Sequence, residues 1–387
     1  MVGGRNVLGP DPALLSLCVG SPRVGSLPVI GHRPIFLSPP GRTPPGLIRS
    51  ASAHQDFHRL MVRSLHHLWG GFAGGLGRSV FRPIGPPTPF FSLLPIIATN
   101  RSMQFVASYP KSGNTWVRLV AAAYTLSDEE LMESLKFHSA SADLPASLQY
   151  TDVERYQYQT ICPFPVDDID FPTEVRLRPA AMLVLKREKS LTTSQRPALI
   201  KSHHINGEVN NINLWNAGWA EHVVNPVRDP REICCSFAAH REMSYMETAE
   251  LMADPKARMG EEGERVHSLL TTWSTHVRSW LEEETISVHT VRYEDLQDDP
   301  VGEFYDIFEF LEVEELTMER VADAVERTHF DRMREVEAEH GFHETTADQE
   351  QFFRSGKTNG WKDELPTDVA RKIEEDHGRV MERLDYL

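Results

Sequence analysis

The sequence predicts an α/β fold, a single three-layer domain with a central parallel sheet, preceded by a segment that does not fold. Three observations carry this reading. Short apolar runs at 105–108, 198–203, 221–227 and 286–291 are separated by segments of helical period, and strands divided by helices imply a parallel sheet with crossovers. The runs end in polar or cationic residues, where the ligands of such sheets gather. Composition also changes abruptly near residue 102: residues 1–100 hold nine Arg, no Lys and only two acids, Asp11 and Asp56, hence +7, which leaves −23 for the remainder of a chain of net charge −16.

The first hundred residues are rich in Pro, Gly, Ser and Arg, as at 38–46. That composition sustains neither a helical nor a strand period and argues for disorder. We therefore divide the chain into a disordered extension, 1–102, and a folded domain, 103–387. The extension reads as a transit peptide, a disordered tail, or a coding frame extended upstream of a true start at Met103. We favour the last; native peptides from before Met103 would contradict it. The most apolar run, 89–98, is interrupted by Pro95 and falls short of the roughly 20 residues of a membrane span. Cys18, Cys162, Cys234 and Cys235 have neither metal-ligand nor disulfide spacing, and the adjacent pair reads as helix packing. A cytoplasmic protein with no membrane partner is expected, and the acidic body argues against nucleic acid.

The elements follow in order. The first strand, 105–108, leads to a helix over 115–126 with apolar positions at Trp116, Leu119, Val120, Ala123 and Tyr124. Residues 127–196 read as substrate-side loops and short helices, with Asp143, Tyr150, Tyr156 and Tyr158 as candidate polar contacts. A second strand lies at 198–203. The third, within 221–227, precedes a helix over 230–243, capped by Asp229 with Pro230 in its first turn. A long amphipathic helix over 264–284 precedes the fourth strand, 286–291. Helices are expected near 301–311 and 318–327, a polar stretch without pattern at 339–359, and a closing helix over 366–384.

The chemistry begins between the first strand and the first helix, at Tyr109-Pro110-Lys111-Ser112-Gly113-Asn114-Thr115-Trp116. Here backbone N–H groups, a helix N-terminus and one ammonium converge on a single point, as a phosphate site requires. The pattern differs from the triphosphate loop G-x-x-x-x-G-K-[ST], because Lys111 precedes Gly113. Ser355-Gly356-Lys357-Thr358 resembles the end of that loop, but Gln351 stands where its first glycine belongs and no strand precedes it. Lys111, Lys201, His203 and Arg228, all at strand ends, together suit a polyanionic ligand and a proton transfer. Any one of them alone is ordinarily a solvated charge, so the inference rests on their joint occurrence.

These motifs resemble those of the sulfotransferases that use 3′-phosphoadenosine-5′-phosphosulfate as sulfuryl donor. Six segments match in order across 103–387. The resemblance implies a P-loop fold of the nucleoside-triphosphatase type, with Lys111, Ser112, Gly113, Asn114, Thr115 and Trp116 around the 5′-phosphosulfate. Lys201-Ser202-His203 resembles the family's Lys-Thr-His, which implies His203 as general base, with Lys111 and Lys201 stabilising the charge of the transferring group. Arg228 and Ser236 match the 3′-phosphate pair, and Tyr293-Glu294-Asp295-Leu296 a segment after a late strand. Thr328-His329-Phe330 is similar to the stretch beside the adenine. Arg354-Ser355-Gly356, ahead of Gly360-Trp361-Lys362, resembles the segment that closes over the 3′-phosphate, with Ser355 in place of a lysine. Asn114 replaces a threonine, and Pro366 stands where a dimer motif would begin, which leaves the oligomeric state open. The implied reaction is sulfuryl transfer to a hydroxyl or amine of a small-molecule or glycan acceptor, with no metal. A P-loop phosphotransferase and a non-catalytic adenosine-bisphosphate-binding module are the alternatives.

Overall fold

The computed structural model describes residues 103–136, 146–192, 197–260, 265–342, 344–345, 351–354, 356 and 358–387; the extension 1–102, Asp143 and Ser355 lie outside them. Four strands, β1 (Met103–Ala107), β2 (Leu199–Ser202), β3 (Ala220–Val227) and β4 (Ser287–Arg292), pair in parallel in the order β2-β1-β3-β4. Each lies within two residues of its predicted run. Apolar residues fill both faces of β1, β2 and β3, as a parallel sheet covered on both sides requires, while the edge strand β4 is mostly half-buried.

From β1 the chain passes through a tight loop into α1 (Asn114–Thr125) and then α2 (Asp128–Leu135), whose start is a capping box of Ser127 and Glu130. A short helix, Ala146–Gln149, then α3 (Arg155–Ile161) and α4 (Phe171–Thr192) lead to β2. After β3 come α5 (Pro230–Arg241), where Asp229 accepts from the Arg231 N–H as predicted, and α6 (Tyr245–Ala253). Helix α7 (Trp273–Leu281) precedes β4. The chain continues through α8 (Tyr293–Asp298), α9 (Pro300–Phe310), α10 (Met318–Arg327), α11 (Phe330–His340), the short helix Trp361–Glu364 and α12 (Thr367–Arg383).

Neighbouring strand residues point to opposite layers. Val106, Leu199, Val224 and Val291 pack with α1, α9 and α10 around Val120, Phe304, Phe308 and Val321. Phe105, Ala107, Ile200 and Val223 pack with α4 and with Trp215, Trp219 and Trp280. A third cluster, built from α5, α6, α7 and α12, closes on Tyr109 and Val227. Cys234 and Cys235 are buried in it, and the adjacent pair packs a helix as expected.

Two predicted elements need correction, and a third element was not predicted. The stretch 127–196 holds the 22-residue helix α4 rather than only short pieces. Its buried stripe, Val175, Arg178, Met182 and Leu185, has an arginine at its centre, and Pro179 lies inside the helix; both hide the helical period. The helix expected over 264–284 begins only at Trp273. Thr271 takes a left-handed φ of 60°, and Thr272 caps the helix by accepting from the Thr275 N–H. Upstream, Ser268–Leu269 pairs antiparallel with Arg258–Met259. Finally α11 fills 330–340, between the helix expected near 318–327 and the polar stretch at 339–359, where no element was expected; only Met333 and Glu337 of its eleven residues are buried, which leaves little helical period to read. Among the described residues no helix is long and apolar enough to cross a membrane.

Candidate active site at the carboxyl ends of the strands

With β1 between β2 and β3, the sheet changes winding direction at β1/β3, the position where open α/β sheets form their crevice. The segments that follow the four strands open onto one cavity of about 870 Å³. Lys111, Gly113, Asn114, Thr115 and Trp116 line it after β1, Lys201 and His203 from β2, Arg228 and Ser236 after β3, and Tyr293 after β4. Thr328, Phe330, Arg354 and Gly356 complete the wall. The predicted residues are thus brought together, apart from Ser355, outside the described residues, and Ser112, which is buried with no hydrogen-bond partner for its hydroxyl among the described residues.

Backbone geometry explains the loop. Lys111 (φ 65°) and Gly113 (φ 105°) are left-handed, so successive N–H groups turn toward one concavity. Gly113 is the N-cap of α1. A Cβ there would lie 2.8 Å from Cδ2 of Tyr293, so glycine is demanded both by its φ and by the close ring. The Asn114 side chain turns inward: its amide donates to the carbonyl of Val106 (3.0 Å), to Ser108 Oγ and to the carbonyl of Ser202 (both 3.3 Å), tying β1 to β2. What Asn114 presents at the helix start is therefore its backbone. Trp116 stacks edge-on against Tyr293 and Phe304, with centroids 5.9 and 5.4 Å away, which places it against packed aromatics.

Three titratable groups meet here. Burial lowers the Lys111 ammonium to about 8, and it lies 4.5 Å over the Phe352 ring. Burial likewise lowers Lys201 to about 8. Its Nζ donates to Glu344 Oε1 at 3.0 Å. His203 Nδ1 lies 2.8 Å from the carbonyl of Ser108. A carbonyl only accepts, so Nδ1 carries the hydrogen and Nε2 keeps its lone pair. Burial, and then the Lys201 charge, hold this imidazole well below its ordinary pKa, hence neutral. Beneath, Ser202 Oγ donates to Asp152 Oδ2 (2.6 Å), which also takes Arg178 Nη2 at 2.6 Å. His276 Nε2 donates to the His203 carbonyl at 3.2 Å. His204, adjacent, faces the interior and accepts from the Leu269 N–H.

The opposite end of the cavity is guanidinium-rich. Arg228 lies 4.3 Å over the Tyr293 ring, donates to the Lys111 carbonyl (3.4 Å) and pairs with Glu232 at 3.4 Å. Ser236 stands one turn beyond Glu232 on α5. Arg354 Nη1 donates to both oxygens of Glu364, at 2.8 and 2.9 Å. Gly356 (φ 61°) passes so close to Phe330 that a Cβ would lie 2.5 Å from its ring. Thr328 is buried, with its hydroxyl donating to the Ala324 carbonyl at 2.9 Å. Glu294 is structural: it accepts from the Asp229 N–H (3.2 Å) and from the Tyr386 hydroxyl (3.0 Å).

Residues 102–385 match the family model described as "Sulfotransferase domain". The chain belongs to the sulfotransferase family. Solved structures of similar fold include retinol dehydratase with androsterone and inactive cofactor PAP (19% identity, 72% of this chain and 80% of that one, TM-score 0.46). Another is mouse sulfotransferase SULT7A1 complexed with PAP (19% identity, 74% and 86%, TM-score 0.45). Among curated proteins none matches significantly.

In this member of the sulfotransferase family the wall beyond His203 differs from expectation. Tyr158 is buried in the core, Tyr156 is exposed with its hydroxyl donated to Glu188, and Tyr150 is nearly buried; none of them lines the cavity. The wall comes instead from Thr151 and Val153 and from Met259, Gly260, Arg265, Val266 and Ser268. An antiparallel pairing joins the two segments: Val266 N–H donates to the Val153 carbonyl at 2.8 Å, and Gly260 (φ 111°) packs where a Cβ would meet the Val266 carbonyl at 2.6 Å. Residues 244–263 gave no sequence signal for this role. Two further residues were missed. Arg118, 1% exposed, and Glu344 form a 2.5 Å ion pair at the cavity. Arg118 lies one turn after Asn114 on α1 and looks like a surface helix charge; Glu344 lies in a polar run where nothing marks it.

Proposed function

We propose that this protein transfers a sulfuryl group from 3′-phosphoadenosine-5′-phosphosulfate to a hydroxyl or amine of a small acceptor, with His203 as general base. The observation that carries the reading is the meeting, in one cavity, of the loop after β1, the Lys201–His203 strand end and Arg228 with Ser236. The residues present fit this donor. Among the described residues the buried hydroxyl of Ser112 has no hydrogen-bond partner, and left-handed backbone such as that at Lys111 and Gly113 forms the concavities that suit anions. The donor supplies an activated sulfuryl group on a 5′-phosphate leaving group.

Around it each side chain has a task. His203 Nε2 takes the acceptor proton as the acceptor heteroatom bonds to sulfur and the sulfur–oxygen bond to the 5′-phosphate breaks. Lys111, Lys201 and the loop N–H groups stabilise the charge that develops on the leaving oxygens. Arg228, Ser236 and Arg354, with Gly356, read the 3′-phosphate; Arg354 exchanges its Glu364 partner for it. Trp116, Tyr293, Thr328 and Phe330 flank the adenosine. The acceptor occupies the wall formed by Val153, Met259, Val266 and Ser268, and the reaction belongs in the cytoplasm. The test is transfer of labelled sulfate from the donor across a panel of phenols, alcohols, amines and glycans. Labelled product should form with wild type and be lost with His203→Ala. Donor binding without transfer to any acceptor would instead favour a non-catalytic module.

A further inference from the structure

The Glu344 carboxylate is gripped by three donors from two distant segments. Oε1 takes Arg118 Nη2 at 2.5 Å and Lys201 Nζ at 3.0 Å, and Oε2 takes Thr115 Oγ1 at 2.7 Å. Arg118 is held rigidly for this: its Nε donates to Asn114 Oδ1 (2.9 Å) and its Nη1 to the Ser147 carbonyl (3.3 Å). Nη2 is thereby aimed at the carboxylate, which lines the cavity although Arg118 itself does not. Glu344 also acts electrostatically on Lys111, Lys201 and His203, raising the proton affinity of each. A carboxylate thus lies among the groups assigned to the transferring anion. Carboxylate and sulfonate oxygens accept from the same guanidinium, ammonium and hydroxyl donors.

We propose that Thr115, Arg118 and Lys201 form the seat of the transferring sulfonate, and that Glu344 is an internal carboxylate that occupies this seat until the donor displaces it. Arg118 is then a sulfonate-binding residue additional to the two lysines. This rests on the donor assigned above. It makes a distinction that the donor assignment does not: the product, adenosine 3′,5′-bisphosphate, lacks a sulfonate and leaves Glu344 in place, so Glu344 weakens the donor selectively.

The experiment is calorimetric titration of the full chain with the phosphosulfate donor and, separately, with adenosine 3′,5′-bisphosphate. Glu344→Gln should tighten the donor about tenfold, the scale of one charge-assisted contact, and change the bisphosphate less than twofold. Adding Arg118→Lys to Glu344→Gln should remove that gain. As a second readout free of nucleotide, sulfate ion should raise the melting temperature of Glu344→Gln more than that of wild type. An unchanged or reduced ratio of donor to bisphosphate affinity in Glu344→Gln overturns the inference while leaving the assigned reaction intact. Wild type that binds neither nucleotide overturns both.

Discussion

In the proposed base role, His203 is poised by a bond that the proton transfer itself does not use. The Ser108 carbonyl, 2.8 Å from Nδ1, fixes the tautomer and leaves Nε2 as acceptor. Because burial and Lys201 keep the ring neutral well below its ordinary pKa, no acid limb from His203 is expected between pH 6 and 7. The lysines set the other side. Lys111 and Lys201, both lowered to about 8 by burial, are charged below that value and neutral above it, and only the charged form attracts sulfonate. We therefore expect kcat/KM for the donor to be flat from pH 6 to about 7.5 and to fall through pH 8–9, measured as a pH–rate profile of the free enzyme. A profile that rises through pH 7 would contradict this protonation scheme. His203→Ala should lower kcat by about 10²–10⁴-fold, with bisphosphate affinity retained; full turnover in that variant would remove His203 from the base role.

At the level of elements, the unit β1–loop–α1 was readable in the sequence almost residue for residue. It combines an apolar strand, a proline break and a glycine at a helix start, each a local signal. The Gly113 requirement is sharper in three dimensions, since the Tyr293 ring blocks any Cβ. Gly113→Ala should cost about 1–2 kcal/mol for the left-handed residue alone and weaken bisphosphate binding at least tenfold, by denaturant titration and calorimetry. The end of β2 depends on a device no local pattern reveals. Asp152 is fully buried and holds both Arg178 and the Ser202 hydroxyl beside Lys201. Asp152→Ala strands the Arg178 charge and should destabilise the fold by about 3–5 kcal/mol, read from urea midpoints. A loss under 1 kcal/mol would show that Arg178 is satisfied elsewhere. The same Arg178 is why α4 escaped prediction: a buried cation at the centre of an apolar stripe breaks the period that sequence reasoning follows. Glu344 escaped for a related reason. Its partners Thr115, Arg118 and Lys201 lie 143 or more positions away, and long-range ion pairs leave no trace in spacing.

Across the whole molecule, the parallel sheet and its covering layers followed from the apolar runs, because strands separated by helices imply crossovers; the order β2-β1-β3-β4 came only with the structure. The wall proposed for the acceptor did not follow from those runs. It is built from residues 151–153, 259–260 and 265–268, which meet through backbone pairing, and segments this short carry no period. Charge poses the remaining question, for a chain of net −16 is assigned a polyanionic donor. The selection must be local, by Lys111 and Lys201 at one end of the cavity and Arg228 and Arg354 at the other. The feature that separates this donor from ATP is its 3′-phosphate, and each charge-assisted contact to it is worth about 1.5–3 kcal/mol. The most direct test is calorimetric titration of the protein with adenosine 3′,5′-bisphosphate, ADP and ATP, with and without magnesium. The account predicts bisphosphate binding that needs no magnesium and is at least tenfold tighter than that of ADP; a magnesium-dependent preference for ATP would contradict it.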